Sequence, residues 1–359
     1  MTRKAKLCLA TAAAIVLAAV AASASAAVTW QCPEGFEVKE GLNIDFPHKG
    51  AKRAFWVYPA SADASVPQPV WVPLTGSVES TNANLTVARS GANALMAQKG
   101  FMVIGPVRAC AGQDPTLGGG VCNGPGRDGW NWNPWNEGRA ANASGDRWKA
   151  DEGPDSTFFE AMVRCVGTKW KLDPRRLFLG GISSGGTMTN RAMVFNSDFW
   201  SGGLSISGEW YVTRDDGSPL TFAEGRTTVA AAPTKIHQGR IGPIPLPRRL
   251  DPLVVITVWG GERDTWDCGP PLGLCADYRP STQAGSNYFA AQTNVVHVAC
   301  STTHGHSWPQ VRTQEFNHWA LRTLASHPKG TPRSAFRLTP PPDGYKCQVG
   351  RFTDHYPAN

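Results

Sequence analysis

Several things are missing from this 359-residue chain, and each absence removes a class of function. Its nine cysteines show no C-x-x-C pair and no other metal-ligand spacing, which argues against zinc. No run of lysine and arginine is long enough to mark a nucleic-acid surface, although the net charge is +7. Beyond Ala22 no stretch is long and apolar enough to span a membrane. There is no internal repeat, and no low-complexity linker before the Pro-rich tail. The length that remains suits one large α/β domain.

The first residues have the pattern of a secretory signal. Arg3, Lys4 and Lys6 form a basic end, Leu7 to Ala22 an apolar stretch, and Ala24-Ser25-Ala26 a small-residue cleavage site. Residues 1–26 are therefore expected to be a signal peptide and residues 27–359 a single domain. Cys8 lies too early to be a lipid-anchor cysteine. Loss of residues 1–26 removes three positive charges and no acid, taking the net charge from +7 to +4. The Ala-rich style is bacterial, so the expected location is the periplasm, or outside the cell. The mature protein is expected to be a monomer that neither enters the membrane nor binds nucleic acid. Cleavage leaves eight cysteines, and an even count in an exported chain suggests disulfides. Spacing makes Cys110–Cys122 and Cys268–Cys275 natural local loops, but it does not give the full connectivity.

Apolar, β-branched runs recur at Ala54 to Tyr58, Pro69 to Pro73, Phe101 to Val107, Leu177 to Gly180, Leu204 to Ser207, Leu253 to Val258 and Val295 to Val298. They read as buried strands. Helical patterns lie between several of them. In Asp155 to Trp170, the side chains of Phe158, Met162, Cys165, Val166 and Trp170 share one face. Leu85 to Gln98 and Gln314 to Leu324 are similar. Alternating strands and helices predict a mostly parallel sheet with helices on both faces, the first strand running against the rest. Two insertions interrupt the alternation, near 109–151 and 208–249. The first carries Trp130, Trp132, Trp135 and Trp148. It is either a loop packing its own aromatics or a wall over the substrate.

Gly181-Ile182-Ser183-Ser184-Gly185 reads G-x-S-x-G between an apolar run and a helical one. Strand, tight turn and helix are the setting of a nucleophile elbow, with Ser183 as the nucleophile. A serine hydroxyl needs a base within hydrogen-bond reach, and the base needs an orienting carboxylate. Asp264 follows the strand Leu253 to Val258 and is the favoured acid, with Glu262 and Asp267 as rivals. His306 follows the strand at Val295 and is favoured over His304, because Gly-His-x-Trp-Pro recurs in secreted esterases. His297 sits inside that strand and reads as structural. The oxyanion hole calls for two backbone N–H groups, one from Ser184 and one from the loop holding Ser77.

The Leu177 to Gly186 elbow and the His304 to Pro309 loop resemble the secreted polyhydroxybutyrate-depolymerase and feruloyl-esterase group of α/β-hydrolases. Glu40 to Gly50, Leu74 to Asn82 and Asp277 to Ser286 are similar to a narrower family, the oxidised polyvinyl alcohol hydrolases. That resemblance covers nearly the whole mature chain. It implies an α/β-hydrolase fold, a triad of Ser183, Asp264 and His306, and an oxyanion hole of Ser77 and Ser184. It also implies that Trp266 lines the substrate groove. The implied substrate is a synthetic polymer or small molecule bearing β-diketone units, cleaved at a C–C bond without metal or cofactor. The alternatives are a secreted carboxylesterase or polyester depolymerase and, in a different class, a non-catalytic polymer-binding protein.

Overall fold

Strict alternation along the apolar runs separates two cores. On the strand Gln68–Leu74, Val70, Val72 and Leu74 face one core and Trp71 the other. On Leu253–Trp259, Leu253 and Val255 join the first core while Val254, Ile256 and Val258 join the second. Strands buried on both faces need apolar residues at every position, which is why these runs are continuous.

The computed structural model describes residues 28–49, 51–76, 100–107, 154–208, 247, 249–267, 274–307 and 315–352. Its strands are β1 (Gly41–His48), β2 (Ala51–Tyr58), β3 (Gln68–Leu74), β4 (Met102–Val107), β5 (Leu172–Ile182), β6 (Gly202–Ile206), β7 (Leu253–Trp259), β8 (Thr265–Asp267), β9 (Leu274–Asp277), β10 (Val295–Thr302) and β11 (Tyr345–Val349). The helices are α1 (Pro154–Val166), α2 (Ser184–Phe195), α3 (Tyr278–Ala291) and α4 (Glu315–Ala325). Nine strands form one sheet in the order β1-β2-β4-β3-β5-β6-β7-β10-β11. The central six are parallel, and β1, β2 and β11 add antiparallel edges. Helices α1, α2 and α3 supply Phe158, Met188 and Phe289 to one core, and α4 supplies Phe316, Trp319 and Leu321 to the other. This is the sheet of an α/β-hydrolase.

All five residues expected to share the first helical face pack in the same core, although α1 itself stops at Val166 and Trp170 lies beyond it. Pro154 opens that helix, where its missing N–H costs nothing. The expected helix at Leu85 to Gln98, the pairing Cys110–Cys122, the Trp-bearing insertion and the signal segment lie outside the described residues. So does Cys268, and with it the expected Cys268–Cys275 loop. Among the described residues two long-range disulfides are present, Cys32–Cys165 and Cys300–Cys347. The first ties the N-terminal segment to the end of α1. The second joins residues directly opposite on β10 and β11.

Two buried polar groups away from the strand ends are fully accounted for. Lys329 donates to the carbonyls of Ser197, Asp198 and Trp200, just past the end of α2, where a cation suits the helix dipole. His297 is completely buried on β10. Its Nδ1–H donates to the Gly350 carbonyl at 2.7 Å, and its Nε2 accepts from the Thr257 hydroxyl at 2.9 Å. Burial, helped by the nearby Arg333 charge, pushes its pKa down to about 4. The structural reading of His297 is correct.

A pH dependence of stability follows. Between about pH 6.5 and about pH 4 the unfolded chain binds a proton at His297 that the folded chain refuses. Stability should therefore fall as pH drops through that window, by on the order of 3 kcal/mol from this group. Urea unfolding at pH 7, 5.5 and 4.5 measures it. A slope unchanged in His297→Gln would assign the effect to other groups.

Candidate active site

The elbow exists because two glycines let β5 and α2 press against the end of β3. A Cβ on Gly181 would lie 2.5 Å from the Leu74 carbonyl oxygen, and one on Gly185 would lie 2.6 Å from the same atom. Neither distance is tolerable, so the turn accepts no side chain on either flank. Between them Ser183 holds φ 55° and ψ −121°, an uncommon conformation for a residue with a Cβ. Its N–H donates to the Ile206 carbonyl at 2.9 Å, and its carbonyl accepts from the Thr187 N–H at 2.8 Å. Ser183 occupies the N-cap position of α2, yet its side chain makes no cap bond. The hydroxyl is left for other partners.

The nearest of these is Tyr278, the first residue of α3. Its hydroxyl lies 3.4 Å from Ser183 Oγ. The tyrosine ring stacks on the His306 imidazole, with centroids 4.2 Å apart and planes 10° from parallel. Tyr278 is almost wholly buried, so its ring is held against the histidine with its hydroxyl beside the serine.

Behind the histidine lies Asp264, with no exposed surface at all. His306 Nδ1 is 3.0 Å from Asp264 Oδ1. The other oxygen, Oδ2, accepts from the Gly260 N–H at 2.7 Å and the Ser207 hydroxyl at 2.9 Å. A carboxylate partner at Nδ1 assigns the ring proton there and leaves Nε2 as the acceptor. Backbone rungs complete the frame: Gly305 N–H donates to the Gly260 carbonyl at 2.8 Å, and Tyr278 N–H to the Asp264 carbonyl at 3.1 Å. The strands β8 and β9 form a two-stranded ribbon between Asp264 and Tyr278.

The residues named from sequence are thus found as follows. Ser183, Asp264 and His306 all sit just past the carboxyl ends of β5, β7 and β10. Ser184 opens α2, where its N–H points away from any intrahelical partner. Ser77 lies outside the described residues, one position past Gly76. Trp266 is on β8, opposite Ala276. Of the rival acids, Glu262 is exposed and lies 3.5 Å from Arg279, away from the histidine. His304 is exposed beside Tyr345. Tyr278 and Ser207 were not foreseen. Tyr278 had only its place in the Asp277 to Ser286 stretch to mark it, and Ser207 had no signal beyond the end of an apolar run.

No family model matches the chain. Two relatives do. It is 71% identical over 332 residues to an oxidised polyvinyl alcohol hydrolase of a Pseudomonas species, covering 92% of this chain and 87% of that protein. It is 66% identical over 343 residues to the oxidised polyvinyl alcohol hydrolase of Sphingopyxis sp. strain 113P3, covering 96% and 94%. The chain belongs to the oxidised polyvinyl alcohol hydrolases. Family structures agree in fold. The crystal structure of native pOPH is 70% identical with a TM-score of 0.75, covering 91% of this chain and 98% of its own. That of native sOPH is 68% identical with a TM-score of 0.76, covering 91% and 99%.

The family's elbow geometry predicts a division between folding and chemistry. Gly181→Ala should lose about 1–3 kcal/mol of stability, because the Leu74 carbonyl and side chain cannot both withdraw. Ser183→Ala removes a hydroxyl whose partner among the described residues, Tyr278, stands at a long 3.4 Å, and should unfold within about 0.5 kcal/mol of wild type. Chemical denaturation of the two variants tests both. A large loss in Ser183→Ala would mean that the hydroxyl is structural.

Proposed function

We propose that this enzyme hydrolyses the C–C bond between the carbonyls of β-diketone units in oxidised polyvinyl alcohol, with Ser183, His306 and Asp264 as its triad. The relatives' shared name supplies the substrate class. The observation that carries the reading is Tyr278, whose hydroxyl stands beside the serine while its ring stacks on the histidine. A crystal structure of pOPH in complex with pNPB carries alanine in place of a serine, which supports a serine nucleophile.

Ser183 Oγ attacks one carbonyl carbon as His306 Nε2 takes its proton. Asp264 keeps the imidazole in the required tautomer and stabilises its positive charge. The tetrahedral oxyanion is received by the Ser184 N–H, aided by the start of α2, and by the Ser77 N–H. Collapse then breaks the bond to the central carbon. A simple ketone has no acceptable carbon leaving group, but a β-diketone departs as an enolate. The electron pair moves onto the second carbonyl oxygen, and that oxygen needs a donor of its own. Tyr278 fills this role, its hydroxyl lying 3.4 Å from Ser183 Oγ. The enolate carbon takes the proton from His306, giving a methyl ketone. Water, deprotonated by His306, clears the acyl-serine as a carboxylic acid. Trp266, on the ribbon that begins next to Asp264, borders the groove for the polymer.

An ester leaves as an alkoxide protonated directly by the histidine and has less need of a second oxyanion donor. The alternative, a carboxylesterase or polyester depolymerase, therefore differs in its use of Tyr278. Export is the reading for location. Two disulfides favour an oxidising compartment, and among the described residues no helix is long and apolar enough to cross a membrane. We place the mature enzyme in the periplasm as a monomer.

The decisive experiment incubates the mature protein with an aliphatic 1,3-diketone and identifies products by mass spectrometry. Equal amounts of carboxylic acid and methyl ketone are expected, and neither with Ser183→Ala. Tyr278→Phe should lower diketone turnover by roughly 100- to 1,000-fold, as for loss of an oxyanion donor, and affect an activated ester less. Trp266→Ala should harm polymer turnover more than turnover of a small activated ester. Rapid ester hydrolysis without diketone cleavage would shift the substrate to esters.

A further inference from the structure

Ser207 lies one residue past β6 and is 1% exposed. Its φ of 47° is positive, as at Ser183 on the neighbouring strand end. A buried residue with a Cβ held in this region costs on the order of 1–3 kcal/mol and persists only where the surroundings demand it. Two bonds make that demand. The Ser207 N–H donates to the Val258 carbonyl of β7 at 2.9 Å, and the hydroxyl donates to Asp264 Oδ2 at 2.9 Å.

We propose that Ser207 is a positioning residue that fixes the plane of the Asp264 carboxylate. The inference rests on the triad reading above. Rotation of a carboxylate about its Cβ–Cγ bond is soft and has no sharp staggered minimum. Asp264 therefore cannot aim Oδ1 at His306 by its own torsional preference. With Gly260 N–H and Ser207 Oγ both at Oδ2, rotation would break two bonds to a charged oxygen in a site without water access. With Gly260 alone, the group pivots about a single contact and Oδ1 swings away from Nδ1. The backbone N–H of Gly260 arrives from the same turn as Asp264 and moves with it. Ser207 comes from a different strand and is the only side-chain donor to Oδ2 among the described residues, so it references the acid to the sheet. The same strand end carries the Ile206 carbonyl that receives the Ser183 N–H. Nucleophile and acid are thus registered to consecutive residues at the end of β6, Ile206 and Ser207.

The test compares Ser207→Ala with Ser207→Gly, using steady-state kinetics on an activated short-chain ester and thermal melts. Both variants lack the hydroxyl, but glycine adopts the positive φ without penalty and alanine does not. Both are expected to lose roughly 10- to 100-fold in kcat, the scale of one hydrogen bond to a charged group, with KM nearly unchanged. Ser207→Gly should melt above Ser207→Ala. Near-wild-type kcat in Ser207→Gly would overturn the proposal, because the loss in alanine would then be structural. Ser183→Ala separates the two levels of the argument. If it keeps its activity, the triad reading fails; if it is inactive while both Ser207 variants work normally, only this inference fails.

Discussion

A row of main-chain hydrogen bonds across the carboxyl ends of adjacent strands is what the candidate active site hangs on. Ser183 N–H reaches Ile206, Ser207 N–H reaches Val258, and Gly305 N–H reaches Gly260. Each bond is a rung added just beyond the regular parallel ladder, linking β5 to β6, β6 to β7, and the turn after β7 to the loop after β10. Side chains far apart in sequence are brought together because these rungs leave their parent turns little freedom. Close packing has the same effect at Gly260, where a Cβ would fall 2.2 Å from the Gly305 carbonyl oxygen. The rungs in turn require the strands to end level, and that level is set by the two cores on either face of the sheet.

The rest of the molecule keeps this frame rigid. The central strands are buried on both sides over most of their length, so a register slip of one residue would move a whole apolar set to the wrong core. At the opposite end of the strands, Lys329 gathers carbonyls from the segment between α2 and β6. At the edge, β11 closes the exposed side of β10 and is bridged to it by Cys300–Cys347. His297 ties β10 to β7 through Thr257 and to the chain after β11 through Gly350. None of these groups approaches the serine, yet each limits how far the loop carrying His306 can drift.

The buried strands and the elbow were plain in the sequence because each depends on a local pattern. Continuous apolar runs announce double burial, and G-x-S-x-G between a strand and a helix announces its own turn. Other parts depend on contacts between distant segments and leave little local trace. Helix α3 was hidden by Pro280 in its first turn, where proline is tolerated, and by a run of small polar residues after it. Strand β11 lies in a proline-rich tail and exists through its pairing with β10. Asp264 was favoured over Glu262 by its place after a strand, but its complete burial behind His306 is not encoded in spacing. Tyr278 was invisible as a site residue because its importance comes from stacking on His306, a neighbour only in the folded chain.

The ribbon of β8 and β9 starts one residue after Asp264 and ends one residue before Tyr278, and those two residues are joined by their own backbone bond. The ribbon can therefore lengthen, shorten or change composition without altering the separation of its two feet. The architecture uncouples the length of the ribbon from the placement of the two residues at its feet. Residues of the ribbon can change while the acid at one foot and the tyrosine at the other keep their places.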